Sequence, residues 1–181
     1  MNETIQQLIS ELKSEGREHR YSPKEFFIRA GQIPKKFGIV QTGLFRYYYL
    51  TDDGKEFTKV FMPEHNVISA YSAMIAASPA CYNIEAIEPS TVIEIDYDHW
   101  QKLRQCDSKW DRLLIFLLEK GYSIKEKRER EFLLLDAESR YRIFLQEHAD
   151  LDKRLKQHMI ASYLGITPIA LSRIRKDINL G

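Results

Sequence analysis

The sequence predicts an α+β fold: an N-terminal β-roll (double-stranded β-helix or jelly roll) with flanking helices, a long dimerisation helix, and a C-terminal helix-turn-helix domain. Three observations predict it. Between residues 21 and 96, short apolar or alternating runs are broken by turn signals. Over residues 108–135, apolar side chains recur every three to four positions. Residues 157–176 combine a small residue, a glycine and five apolar positions in the spacing of two helices that cross at a tight turn. The corresponding units are 1–107, 108–135 and 136–181.

In chain order, residues 1–19 read as a helix, with Ile5, Leu8, Ile9 and Leu12 on one face and Gly16 to end it. Phe26-Phe27-Ile28 and Ile39-Val40 are short strand signals, each followed by a glycine turn. Residues 44–50 form a strand, Asp53-Gly54 supplies the positive φ of a hairpin turn, and residues 56–61 return antiparallel. A short helix is expected within 68–80, strands over 82–86 and 91–95, and a further short helix over 97–103. The helix over 108–135 would be about 42 Å long. Trp110, Leu113, Leu114, Leu117 and Ile124 lie on its apolar side, which a second copy of the chain is expected to cover. Its second half, 125–131, is charged and reads as a solvated face. Residues 136–154 give one more helix, with a loop at Asp150-Leu151-Asp152.

Composition bounds the function. The chain has 181 residues, 44% hydrophobic and 29% charged, enough for a packed core without disulfide or metal staples. Two cysteines, Cys81 and Cys106, make neither a disulfide framework nor a CxxC motif, and are expected to be buried free thiols. Five scattered histidines lack HxH or HExxH spacing, so no metal or cofactor is expected. No signal peptide or membrane-span pattern is visible, and the expected location is the cytoplasm. Charge is uneven. Residues 140–181 hold eight basic and four acidic side chains, whereas the rest of the chain is net −3. A basic C-terminal segment is a pointer to nucleic acid.

The helix-turn-helix carries the specific signal. Ala161 is small where the second helix must cross closely, and Gly165 occupies the turn. Ile160, Leu164, Ile166, Leu171 and Ile174 fill the apolar positions. Thr167 is placed as the N-cap of the second helix and Pro168 at its first position. The outward face of that helix carries Ile169, Ser172, Arg173 and Lys176. Arg173 has the geometry for a guanine edge; Ser172, Lys176, Lys156 and Gln157 suit phosphates. Double-stranded DNA is the expected partner.

With these elements in this order, the chain resembles the Crp–Fnr superfamily of bacterial transcription regulators. Residues 28–32, 39–46 and 94–100 resemble its first roll turn, its strand–glycine–strand element and its exit into a helix. The resemblance implies a cyclic-nucleotide-binding-like sensor roll, a homodimer, a small-molecule effector of unknown identity, and RNA polymerase as a candidate partner. It implies no enzymatic activity. Cyclic-nucleotide members carry Gly-Glu near the start of a phosphate-binding cassette and Arg-Ser/Thr-Ala near its end. Here the matching stretches are Val67-Ile68-Ser69-Ala70-Tyr71 and Pro79-Ala80-Cys81-Tyr82-Asn83, with neither the glutamate nor the arginine. The effector pocket is therefore expected to be degenerate or altered and not to bind cyclic AMP. Two cysteines are too few for an iron–sulfur cluster. Tyr47, Tyr49, Ser69, Tyr71 and Tyr82 would line a pocket or fill core and rim. Ile169 stands where related regulators often carry glutamate, so the preferred operator is expected to differ. With the sequence ending at Gly181, contacts from a following wing hairpin are expected to be absent. Two other readings compete with this one: a ligand-binding or protein-interaction module that no longer binds DNA, and a cupin-type enzyme.

Overall fold

The computed structural model describes residues 3–179. The element order is α1(Glu3–Ser14), β1(Arg17–Tyr21), β2(Phe26–Ile28), β3(Lys36–Thr42), β4(Phe45–Leu50), β5(Glu56–Met62), β6(Val67–Ile68), α2(Tyr71–Ile75), β7(Asn83–Ala86) and β8(Ser90–Asp96). Then follow α3(Tyr97–Cys106), α4(Lys109–Leu134), α5(Ala137–Glu147), α6(Ala149–Arg154), α7(Gln157–Leu164) and α8(Pro168–Asn179). The strands form two four-stranded antiparallel sheets, β1-β8-β3-β6 and β2-β7-β4-β5, which face each other as a roll.

Alternation along the strands divides the apolar side chains between the roll's inside and outside. On β3 and β8, Val40 and Val92 point inward beside Phe27, Phe45, Tyr47, Tyr82 and Ile84. Phe37, Ile39 and Ile95 point outward, where Leu8 and Leu12 of α1, Trp100 of α3, and Trp110 and Leu113 of α4 cover them. On the opposite sheet, Leu44 and Phe61 point outward into a third cluster with Tyr141, Phe144, Ile160, Leu164 and Leu171. The helix-turn-helix unit is thus seated directly on the roll. Gly43 makes the β3–β4 corner possible: its φ is +97°, and a Cβ there would fall on the Ser90 side chain.

Three expectations are corrected. The first helix ends at Ser14, and Arg17–Tyr21 pairs with β8 as an edge strand whose first four side chains are exposed. Exposure on both faces removed the alternation that would have marked it. The stretch 136–154 is two helices that meet at His148, and Asp150-Leu151-Asp152 lies inside the second, because Leu151 is drawn into the third cluster. Cys81 and Cys106 are exposed free thiols, not buried ones: Cys81 lies outside the roll core, and Cys106 ends α3 on its solvent side.

Candidate nucleic-acid interface and roll interior

The turn between α7 and α8 is built as the spacing requires. Gly165 adopts φ +70°, and its N–H and that of Ile166 return to carbonyls of α7, the latter to Ala161 at 3.0 Å. The Ala170 N–H donates to the Thr167 hydroxyl at 3.1 Å, capping α8. Ile160, Ala161, Leu164 and Leu171 are buried, with Ile166 and Ile174 packed beside them. What remains outside is one face of α8. Ile169 is 69% exposed, and Ser172, Arg173 and Lys176 are exposed with no side-chain hydrogen bond or ion pair among the described residues. The spacing i, i+3, i+4, i+7 puts all four on one stripe. Lys156 is exposed at the start of α7. Gln157 is engaged elsewhere: its amide donates to the Pro168 carbonyl at 2.9 Å and ties the starts of the two helices together. Arg175, by contrast, turns inward to Asp152 at 2.7 Å and the Tyr141 hydroxyl at 2.9 Å.

How this unit is held was not legible in the sequence. The outer edge of β5 ends its sheet with unpaired backbone groups. The Ser162 hydroxyl of α7 meets them, accepting from the Thr58 N–H and donating to the Glu56 carbonyl, both at 2.8 Å. Arg128 of α4 donates to the Tyr163 carbonyl at 2.8 Å and reaches the Thr58 carbonyl at 3.5 Å, its guanidinium stacked on the Tyr163 ring. Arg154 of α6 forks onto both oxygens of Glu64 (2.8 and 3.1 Å) and pairs with Glu88 at 2.5 Å. Glu64 also accepts from the Gly43 N–H at 3.0 Å. The two carboxylates hold the Arg154 guanidinium protonated well above its ordinary range, and Arg154 holds Glu64 below the usual carboxylate range.

The structure brings together Tyr47, Ser69 and Tyr82 in the roll, with the exposed Tyr49 at its rim, and separates Tyr71. The Ser69 N–H donates to the Tyr47 hydroxyl at 2.7 Å, and the Tyr82 hydroxyl lies 3.5 Å from the Ser69 carbonyl. Tyr49 meets the Tyr82 ring edge-on, and the Lys59 ammonium sits 4.2 Å above that ring. Tyr71 packs outside the roll, with the α1, α3 and α4 cluster, because α2 turns it towards Tyr97. An open groove of about 340 Å³ lies elsewhere, between the end of α4 and α5, beside Leu134, Leu135 and Ile143.

Four of the five α4 side chains expected at a dimer interface are taken up by the chain's own core. Trp110 and Leu113 are buried in the chain's own core, and Leu114 and Leu117 pack against that core. At about 100° per residue, Ile124 shares their side of the helix, although it is exposed. The roll itself covers the densest part of the stripe. A second row, Ile115, Leu118 and Tyr122, faces the other way and is exposed, Tyr122 by 70%.

Residues 18–107 match the cyclic nucleotide-binding domain family. No curated protein matches in sequence. Among solved structures, FixK2 from Bradyrhizobium japonicum is similar at TM-score 0.78 and 21% identity, over 91% of this chain and 85% of that one. A CooA mutant from Carboxydothermus hydrogenoformans aligns at TM-score 0.74 and 21% identity, over 93% and 78%. The c-di-GMP responsive global regulator CLP of Xanthomonas campestris aligns at 0.75 and 16%, over 97% and 92%. No helix among the described residues is long and apolar enough to cross a membrane.

Proposed function

We infer that this chain, whose residues 18–107 belong to the cyclic nucleotide-binding domain family and whose fold is that of the Crp–Fnr regulators, is a DNA-binding transcription regulator that works as a homodimer. The observation that carries this reading is the outward stripe of α8. Two cations and a serine stand there without partners among the described residues, while the neighbouring Arg175, Arg154 and Arg140 are all engaged within the protein. Arg173 lies mid-stripe, one turn beyond Ile169, and reads a base edge; Lys176 and Lys156 meet phosphates. The second copy sits on Ile115, Leu118 and Tyr122 of α4, where two-fold pairing places two α8 helices on one face of a duplex. A chromosomal target puts the protein in the cytoplasm.

The roll acts as an altered sensor that does not take cyclic AMP. Its interior offers stacked phenols, and the buried arginine of β4, Arg46, alternates with the inward Phe45 and Tyr47 and is paired with Glu56 and Glu85. The test is a gel shift with genomic fragments at two salt concentrations. A set of fragments retained well above random duplex, with binding that weakens steeply as salt rises, supports the reading. No retention at low salt favours an interaction module in its place.

A further inference from the structure

At Thr58, strand β5 meets both the helix-turn-helix unit and α4. The Thr58 N–H goes to Ser162 of α7, and its carbonyl faces Arg128 of α4, which also holds the carbonyl of Tyr163, the residue after Ser162. A hydroxyl that both donates to and accepts from an open strand edge does there what a further strand would do, at one register position. About the same unit, Arg154 ties α6 to two roll turns at once, through Glu64 after β5 and Glu88 before β8. Glu64 in turn pins the β3–β4 corner at Gly43. These contacts fix the α6–α7 unit in rotation as well as in position, because α6 through Arg154 and α7 through Ser162 are held at separated points on the roll.

We propose that Ser162 and Arg154 are positioning residues for DNA reading: they lock α7 onto the β5 edge and the roll turns, so that α8 is presented in one fixed orientation. The proposal rests on the reading of α8 as a DNA-recognition helix. Neither residue lies on the outward stripe of α8. A two-fold reader must place two helices about one duplex turn apart, about 34 Å. A unit free to swing on the α4–α5 connection would have to be ordered on binding, at a cost in affinity. That cost falls on operator binding, which needs both helices in register, and not on random duplex, which accepts many orientations.

The test compares the native chain with Ser162→Ala, Arg154→Ala, the double variant and Arg154→Lys. Ser162→Ala leaves the charge unchanged. Thr58 amide exchange, measured without DNA, reports the lock directly. Affinities for a selected operator and a random duplex, at one salt concentration, report its use. The expected result is slow Thr58 exchange in the native chain, faster by about tenfold or more in Ser162→Ala. Operator affinity should fall about tenfold in the double variant, with random-duplex affinity unchanged within about twofold and Arg154→Lys recovering part of the loss. Tighter operator binding, equal losses on both duplexes, or unchanged operator affinity despite fast Thr58 exchange overturns the proposal. Fast Thr58 exchange in the native chain refutes the lock whatever the DNA result. A native chain that binds neither duplex refutes the DNA reading, and with it the use proposed here, even where Thr58 exchange is slow.

Discussion

Tyr47 and Tyr82 lie stacked inside the roll, ring centroids 5.5 Å apart and planes 25° off parallel, with both hydroxyls directed at the backbone of Ser69. The pair fills the interior beside α2. Burial pushes the Tyr82 phenol up to about 12 and that of Tyr47 higher still, so both are neutral at pH 7.

A cyclic nucleotide entering there would have to displace two rings and would meet no bidentate arginine for its phosphate, only the Lys59 ammonium over the Tyr82 ring. Titration calorimetry with cyclic AMP should give no submicromolar binding. Tyr82→Ala should lower unfolding stability by roughly 3–5 kcal/mol in urea melts, the usual loss for a buried aromatic. Submicromolar binding to the native chain would mean that the interior opens.

The α4 helix makes two different promises on its two sides. Leu113 is fully buried among Phe37, Trp100 and Trp110, so Leu113→Ala should cost about 2–5 kcal/mol of stability. Leu118→Glu on the outward row should leave the fold intact and shift sedimentation mass to one chain. Equal masses for the native chain and Leu118→Glu, both of two chains, would place the interface elsewhere.

Legibility in the sequence followed the kind of force at work. The Asp53-Gly54 hairpin, the Gly165 turn and the Thr167 cap depend on local backbone chemistry, and each stands where residue type placed it. The outward stripe of α8 follows from period alone. The α4 stripe misled because periodicity shows that a face is apolar and not what covers it. Trp110 and Leu113 are covered by α3 just before them and by α1 and β3, which are far away in sequence. The Ser162 contact spans 104 residues and uses backbone groups of Glu56 and Thr58, which carry no side-chain signature. In the sequence Arg154 is one of eight basic residues over 140–181, yet its charge is taken up by Glu64 and Glu88.

Acid should loosen the junction between α6 and the roll. The Arg154 fork, aided by the Gly43 N–H, holds Glu64 below its ordinary value of 4.5. A carboxylate with a lowered value contributes stability that is fully present above about pH 4.5 and is lost as pH falls through the lowered value. Both partners are partly exposed, so the contribution should be about 1 kcal/mol or less. Urea midpoints of the native chain and Glu64→Gln should differ at pH 7 and converge as pH falls below about 4.5. A gap that persists undiminished into the more acidic range would show that Glu64 acts through packing and not through its charge.

Arg173 and Lys176 are three residues apart on the same exposed stripe, yet the docking of α8 in a major groove gives them different work. In the proposed docking Arg173, beside Ser172 and one turn after Ile169, would face base edges, where its fork matches the two acceptors of guanine. Lys176, a turn further from the helix start, would then meet a phosphate as a point charge. Arg173→Ala should therefore cost roughly 1–3 kcal/mol at the operator and relax the preference at one base pair of each half-site. Lys176→Ala should weaken operator and random duplex alike and reduce the salt slope by about one per site. Binding of both variants to both duplexes at two salt concentrations decides between this docking and a non-specific one. Identical behaviour of the two variants on both duplexes would show that α8 does not read sequence through this face.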